Sequence, residues 1–292
     1  MKKAPVLKQF AGMWTLTHQP DIHNPKKEWS VEEKFRQAKK QGFDAMGVWA
    51  APELFVPLAK KYKMDLVVYI DGNWKTYKER IDALAKMNPS RVNVQMLDHD
   101  TLPAEAVKLW LVIMDYAKKL GLADRMDLEV HRDTCTETPE KTYEIAKLYQ
   151  QKTGKKIQMC FDFSHFAVVK HIGTPYRNRL LVERLDLTQK ARQLHLRPFN
   201  GHHCQVPLTD GKGKISVEGK HYIEFVNDLI VAWLKAAKGG ETLYVCPEFG
   251  PWCSTYGLTT FPDVWKDACL LRRETEKSWK KNLALWQKGA LK

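Results

Sequence analysis

The sequence predicts a single-domain α/β fold, the (β/α)8 TIM barrel, from three observations. Short apolar, often β-branched runs alternate eight times with longer helical patterns along 292 residues, which is the order of a closed parallel sheet wrapped in helices. No Gly-x-Gly-x-x-Gly string follows the first run, so the open dinucleotide-binding sheet gains no support. No Pro-, Gly- or Ser-rich linker divides the chain, so 1–292 reads as one domain with a long C-terminal helix at about 262–286.

The eight strands are expected at 8–16, 43–49, 65–70, 91–97, 126–131, 157–163, 193–197 and 242–248. Helices are expected near 30–41, 53–62, 75–88, 103–120, 139–153, 176–191 and 219–237, before the closing helix. Ser30 with Glu33 three residues later forms a capping box, and Pro139 suits a first helical turn. Gly42, Gly121 and Gly154 follow helices, where a left-handed cap is wanted.

Composition narrows the class. A hydrophobic fraction of 44% excludes a disordered chain. No apolar run approaches the roughly 20 residues of a membrane span, and residues 1–10 lack the apolar stretch of a secretory signal. The expectation is a cytoplasmic protein with no membrane partner. The six cysteines, at 135, 160, 204, 246, 253 and 269, form no Cys-x-x-Cys pair and read as reduced, mostly buried thiols.

Chemistry in this fold lives at the C-terminal ends of the strands. Strand five ends Leu128-Glu129-Val130-His131-Arg132, strand six Phe161-Asp162-Phe163-Ser164-His165 and strand eight Cys246-Pro247-Glu248-Phe249-Gly250. Strand seven carries His195 and Arg197, followed by Asn200, His202, His203 and Gln205. Each run turns from apolar to ionisable at the same end. Singly, Glu129 would serve as a salt-bridge partner, Asp162 as a helix cap, His195 as a core histidine and Glu248 as a turn residue. Together the four would ring one barrel mouth. Three carboxylates and an imidazole suit a divalent cation such as Mn²⁺, Mg²⁺, Co²⁺ or Zn²⁺, which would also relieve their mutual repulsion.

At these residues the chain resembles the xylose-isomerase-like TIM barrels, which group sugar isomerases and epimerases with inosose dehydratases and endonuclease-IV-type repair enzymes. The resemblance spans nearly the whole chain in element order. It implies a metal held by Glu129, Asp162, His195 and Glu248, with His165 of the Asp-x-x-His string touching substrate. Two departures stand out. Ketose 3-epimerases carry an Arg several residues beyond the strand-seven His, where this chain has Gly201 and His202. The repair nucleases' His-x-x-Asp and Asp-x-His patterns are missing after strand seven.

The implied function is a metal-dependent sugar isomerase or epimerase that abstracts a proton next to a carbonyl through a metal-stabilised enediolate. Glu129 and Glu248 are the acid/base pair; His165 or Arg197 steadies the developing charge. Trp252, Gln205, His131 and His202 are further substrate-binding candidates, with Trp14, Trp49 and Tyr256 as sugar-stacking walls. The partner is a small sugar or keto-sugar. A keto-sugar or inosose lyase on the same site and a non-catalytic carbohydrate-binding barrel are the alternatives. The last helix, with Trp265, Trp279 and Trp286, would pack on the barrel or, in a homodimer, on a second copy.

Lys plus Arg is 47 against 34 for Asp plus Glu, a net +13, which first suggests nucleic acid. The distribution argues otherwise. Lysine pairs such as Lys39-Lys40, Lys60-Lys61 and Lys118-Lys119 fall at helix ends, and Glu32, Glu53, Glu105 and Glu140 at helix starts. That pattern complements helix dipoles and puts much positive charge on the face opposite the mouth.

Overall fold

A computed structural model describes residues 3–254 and 256–291. Eight parallel strands close in sequence order: β1 (Val6–Gly12), β2 (Ala45–Trp49), β3 (Asp65–Gly72), β4 (Arg91–Met96), β5 (Met126–Glu129), β6 (Met159–Asp162), β7 (Gln193–Leu196) and β8 (Thr242–Pro247). β8 returns to β1 through the register Val6 to Thr242 and Gln9 to Val245. Among the described residues, no helix is long and apolar enough to cross a membrane.

Ten helices complete the described fold: α1 (Val31–Lys40), α2 (Pro52–Tyr62), α3 (Tyr77–Met87), α4 (Pro103–Lys119), α5 (Pro139–Thr153), α6 (Phe163–Val169), α7 (Arg177–Leu180), α8 (Leu185–Thr188), α9 (Val217–Ala236) and α10 (Val264–Gln287). Ser30 caps α1 by accepting from Glu33 N at 3.2 Å. The box is only half closed, because the Glu33 carboxylate bonds Arg36 and Gln37 instead. Gly154 takes φ 70° as the left-handed cap of α5, as Gly42 and Gly121 do after α1 and α4. Basic residues occupy the last turns of α1, α2 and α4, and acids their first turns, as the dipole pattern requires.

Two expectations change. The first strand ends at Gly12, and residues 14–16 coil into a 3-10 turn. The helix expected over 176–191 is two single turns, α7 and α8, with α6 forming ahead of them. Asp162, the last residue of β6, accepts from Ser164 N at 3.0 Å, and this cap starts α6 directly off the strand.

Strand alternation sorts the side chains into two sets. Outward residues such as Val92, Val94, Leu128, Phe161, Leu194 and Val245 join the large core beneath the helices. A smaller apolar cluster, Phe10, Ala45, Val67, Tyr244 and Cys246, fills one side of the barrel interior. The opposite side, on β4 to β7, carries Arg91, Asn93, Asp127, Glu129, Asp162, Gln193 and His195, all buried. The closing helix packs on the barrel. Trp265 stacks on Phe43 at 5.5 Å, Trp279 meets Trp233 of α9 at 5.7 Å, and Asp267 accepts from Leu208 N, Thr209 N and Thr209 Oγ1 in the loop after β7.

Candidate active site

Pairing register assembles the site from four neighbouring strands. Glu129 stands opposite Cys160, Asp162 opposite His195, and His195 opposite Cys246. Glu248 follows β8, held by its N–H on Leu196 O at 2.9 Å. All four candidate ligands are at least nine-tenths buried. His195 Nδ1 lies 3.0 Å from Glu129 Oε1 and 3.1 Å from Glu248 Oε2. The imidazole is wedged edge-on against Phe10 and Tyr69.

Arg197 enters the same cluster from the end of β7. Its Nη2 donates to Glu248 Oε2 at 2.8 Å and lies 3.0 Å from Asp162 Oδ2. The guanidinium is 1% exposed. Its Cζ sits 4.3 Å from the Tyr256 ring centre and 5.3 Å from that of Trp14, favourable cation–π spacing. Arg132 covers the Tyr256 ring as well, at 4.4 Å, and donates to its hydroxyl.

Electrostatics here are set by burial and contacts together. Burial pushes the Glu248 carboxyl up, but the His195 and Arg197 charges outweigh it and hold it well below the usual range. Burial likewise raises Glu129, and His195 with His131 more than compensates. His165 goes the other way. Burial, reinforced by the Arg197 and His131 charges, holds it well below 6.5 and keeps the ring neutral. Burial also lowers His195, yet Cys160, Glu248 and Glu129 raise it well above 6.5.

Part of this donor set could hold a divalent cation. Glu129 Oε2, Asp162 Oδ2 and His195 Nδ1 are buried without a hydrogen-bond partner. Such atoms are costly unless something satisfies them. Glu129, Cys160 and His195 bring ligand atoms within 4.8 Å of one another, a buried group that could hold a metal. Cys160 is not among the ligands expected from sequence. Its signal is the two-residue alternation of β6, which turns Cys160 to the same face as Asp162. Asn93 on β4 joins by the same logic, 3.5 Å from His195 Nε2.

The other candidates divide. His165 is buried with Nε2 3.4 Å from Asp162 Oδ2, and its ring lies 4.9 Å from that of His131. Gln205 spends both ends of its amide on Gly250, donating to the carbonyl at 2.9 Å and accepting from the N–H at 2.6 Å; it anchors the loop after β8. Trp252 donates its indole N–H to Ile22 O at 2.5 Å and ties that loop to the one after β1. His202 is exposed, with its ring 5.4 Å from His171. Trp49 is 51% exposed and packs edge-on against Phe55. A cavity of about 430 Å³ opens beside the cluster, lined by Asp71, Asn73, Gln95, His131, Arg132 and Asp133 among others. His99 reaches Asp133 at this rim, at 2.7 Å.

The fold has solved counterparts. The chain is similar to a xylose isomerase domain-containing protein from Salmonella typhimurium, with 12% identity and a TM-score of 0.58 over 96% of this chain and 97% of that one. It is similar to a provisional sugar phosphate isomerase/epimerase from Anabaena variabilis, with 11% identity and a TM-score of 0.59 over 94% and 99%. A xylose isomerase domain protein from Planctomyces limnophilus matches with 12% identity and a TM-score of 0.54 over 96% and 99%. No family model and no curated protein sequence matches the chain. At these identities the matches show the fold, a closed eight-stranded parallel barrel, while the buried carboxylate–imidazole–thiol group at its mouth is read from this chain's own residues.

Proposed function

We propose that this chain is a metal-dependent sugar isomerase or epimerase that removes a proton next to a substrate carbonyl. The observation carrying this reading is the convergence of Glu129, Asp162, His195 and Glu248, three of them with unpartnered buried atoms. These four would hold the cation, with Cys160 beside them as a softer donor favouring Zn²⁺ or Co²⁺ over Mg²⁺. A bound dication would polarise the carbonyl and acidify the adjacent C–H.

The chain's own groups do the rest. Glu129 is ionised at neutral pH, so it can take the proton as general base. Neutral His165 has an unpartnered Nε2, free to donate to the oxygen of the developing enediolate. Glu129 hands that proton to the neighbouring carbon to complete isomerisation; for epimerisation the opposite face must be protonated instead, and Glu248, from another strand and ionised at rest, would first take a proton from solvent to deliver it there. Elimination from a keto-sugar differs only in that the returned proton goes to a leaving oxygen. Arg132 and His131 line the cavity where the rest of the sugar would lie.

The test has two readouts. Crystals soaked in Mn²⁺ should show anomalous density bounded by Glu129, Asp162, His195 and Glu248; no density there removes the metal. Metal-loaded protein with a panel of ketoses in D2O should transfer deuterium to carbon, and Glu129→Gln should abolish it. A panel that exchanges equally fast with Glu129→Gln removes Glu129 as base.

A further inference from the structure

The sequence does not explain why a buried arginine lies among the carboxylates expected to bind a dication. Arg197 Nη2 bridges Asp162 Oδ2 and Glu248 Oε2, one oxygen from each of two expected ligands. A guanidinium keeps its proton at any working pH. It therefore competes with a dication for these two oxygens, and movement of the guanidinium would relieve that competition.

The seat of Arg197 is half-satisfied. Nη2 is engaged, but Nε and Nη1 are buried with no partner. An unmet buried donor of a charged group carries a substantial penalty. The flat faces of Tyr256 and Trp14 beside it would let the planar group slide without losing its aromatic contact. The cavity holding Arg132, on the same Tyr256 ring, is adjacent.

We propose that Arg197 is a displaceable counter-ion. It joins Asp162 to Glu248 in the metal-free protein, yields those oxygens to the incoming dication, and then turns its free N–H groups onto a substrate oxygen. The inference rests on the metal reading above. It goes further, because it makes metal binding the step that readies a substrate-holding group.

The experiment measures Mn²⁺ affinity by calorimetry on the full chain for the natural protein, Arg197→Met and Arg197→Lys. Arg197→Met should bind Mn²⁺ at least tenfold more tightly, with Arg197→Lys between the two, and metal-free Arg197→Met should melt at a lower temperature. Equal or weaker Mn²⁺ binding by a folded Arg197→Met overturns the proposal. Should Arg197→Met fail to fold, crystals of the natural protein with and without Mn²⁺ decide. Arg197 should leave at least one of Asp162 and Glu248 when Mn²⁺ occupies them, and an Arg197 that keeps both contacts beside bound Mn²⁺ overturns the idea. Mn²⁺ bound by Arg197→Met but excluded from the natural protein supports the competition while removing the metal-dependent function. No Mn²⁺ in either removes both. Competition without deuterium transfer to any ketose removes only the function.

Discussion

The barrel interior holds two buried ionic networks, one at its floor and one at its mouth, and they are finished differently. At the floor, Arg91 Nε donates to Asp127 Oδ2 at 2.8 Å, Nη2 donates to Asp127 Oδ1, and Nη1 reaches Asp124 O at 2.7 Å. Gln193 adds a bond to the same carboxylate at 2.7 Å from across the barrel. Every charge there is met by its complement. At the mouth, two residues further along β5 and β7, Glu129 and His195 approach without hydrogen-bond alignment. Asp162 Oδ2 has only its ion pair with Arg197, and Glu129 Oε2, His165 Nε2 and two arginine nitrogens have no hydrogen-bond partner. Both networks bear the cost of desolvating charge. At the floor Arg91 and Asp127 satisfy each other's hydrogen bonds, although burial still lifts the Asp127 carboxyl and Gln193 Oε1 has no partner. The unmet groups of the mouth cluster at the strand ends, where barrels of this fold place their ligands.

The largest expected effect lies at the mouth. Glu129→Gln should cut turnover by about 10²- to 10⁴-fold, the usual value of a general base, and the metal-free protein should lose stability at neutral pH, because the carboxylate that folding holds ionised against His195 is gone. Deuterium transfer and urea unfolding read the two quantities. A folded Glu129→Gln that loses stability but keeps full turnover would make Glu129 a structural residue like Asp127.

The floor should change stability alone. Arg91→Met strands the Asp127 carboxylate and should cost about 3–5 kcal/mol of stability. Mn²⁺ affinity per folded molecule should not change. Chemical denaturation with a parallel metal titration checks this, and a variant as stable as the natural protein would erase the distinction between the networks. A smaller change is expected for Cys160→Ser. A harder oxygen replaces sulfur, so the Zn²⁺ to Mg²⁺ affinity ratio should fall about tenfold with the fold intact, read by competition calorimetry.

How far the sequence reveals each network follows from the range of the contacts. All eight strands and the order of their polar ends are local patterns, so the barrel is legible from alternation, and the same strand-end rule nominates Glu129, Asp162, His195 and Glu248 as expected ligands. The α6 turn was hidden because Asp162 both ends a strand and caps a helix, and a strand reading absorbs the apolar residues after it. Residues 176–191 lack a sustained apolar face; Leu180, Leu181 and Leu187 are buried separately, and the chain makes two turns rather than one helix. Cys160 was hidden by residue type, since a thiol beside Met159 and Phe161 reads as core. Gln205 and Trp252 suit a sugar by type, but their polar atoms go to Gly250 and Ile22, 45 and 230 residues away, and no local pattern encodes that. Arg197 was legible as a cation near the site. Its seat between two carboxylates is a product of the closed sheet.

The subtlest difference between the networks is their response to pH, because only the mouth contains histidines. His165 has a folded pKa well below 6.5. Below that pH the unfolded chain takes up a proton that the folded chain refuses, so stability falls as pH drops. His195 has a folded pKa well above 6.5. Its contribution is complete below 6.5 and is lost as pH climbs toward that folded value, because the unfolded chain has already released its proton. The two slopes oppose, and metal-free protein should be most stable near pH 6.5, with limbs of at most about 1.4 kcal/mol per pH unit for each proton. Urea unfolding between pH 5 and 8.5 measures the profile. His165→Gln should flatten the acid limb alone and His195→Gln the alkaline limb alone. Arg91→Met should lower the whole curve and leave its shape. A monotonic profile in the natural protein, or a shape change on altering the floor, would mean that the two networks titrate as one.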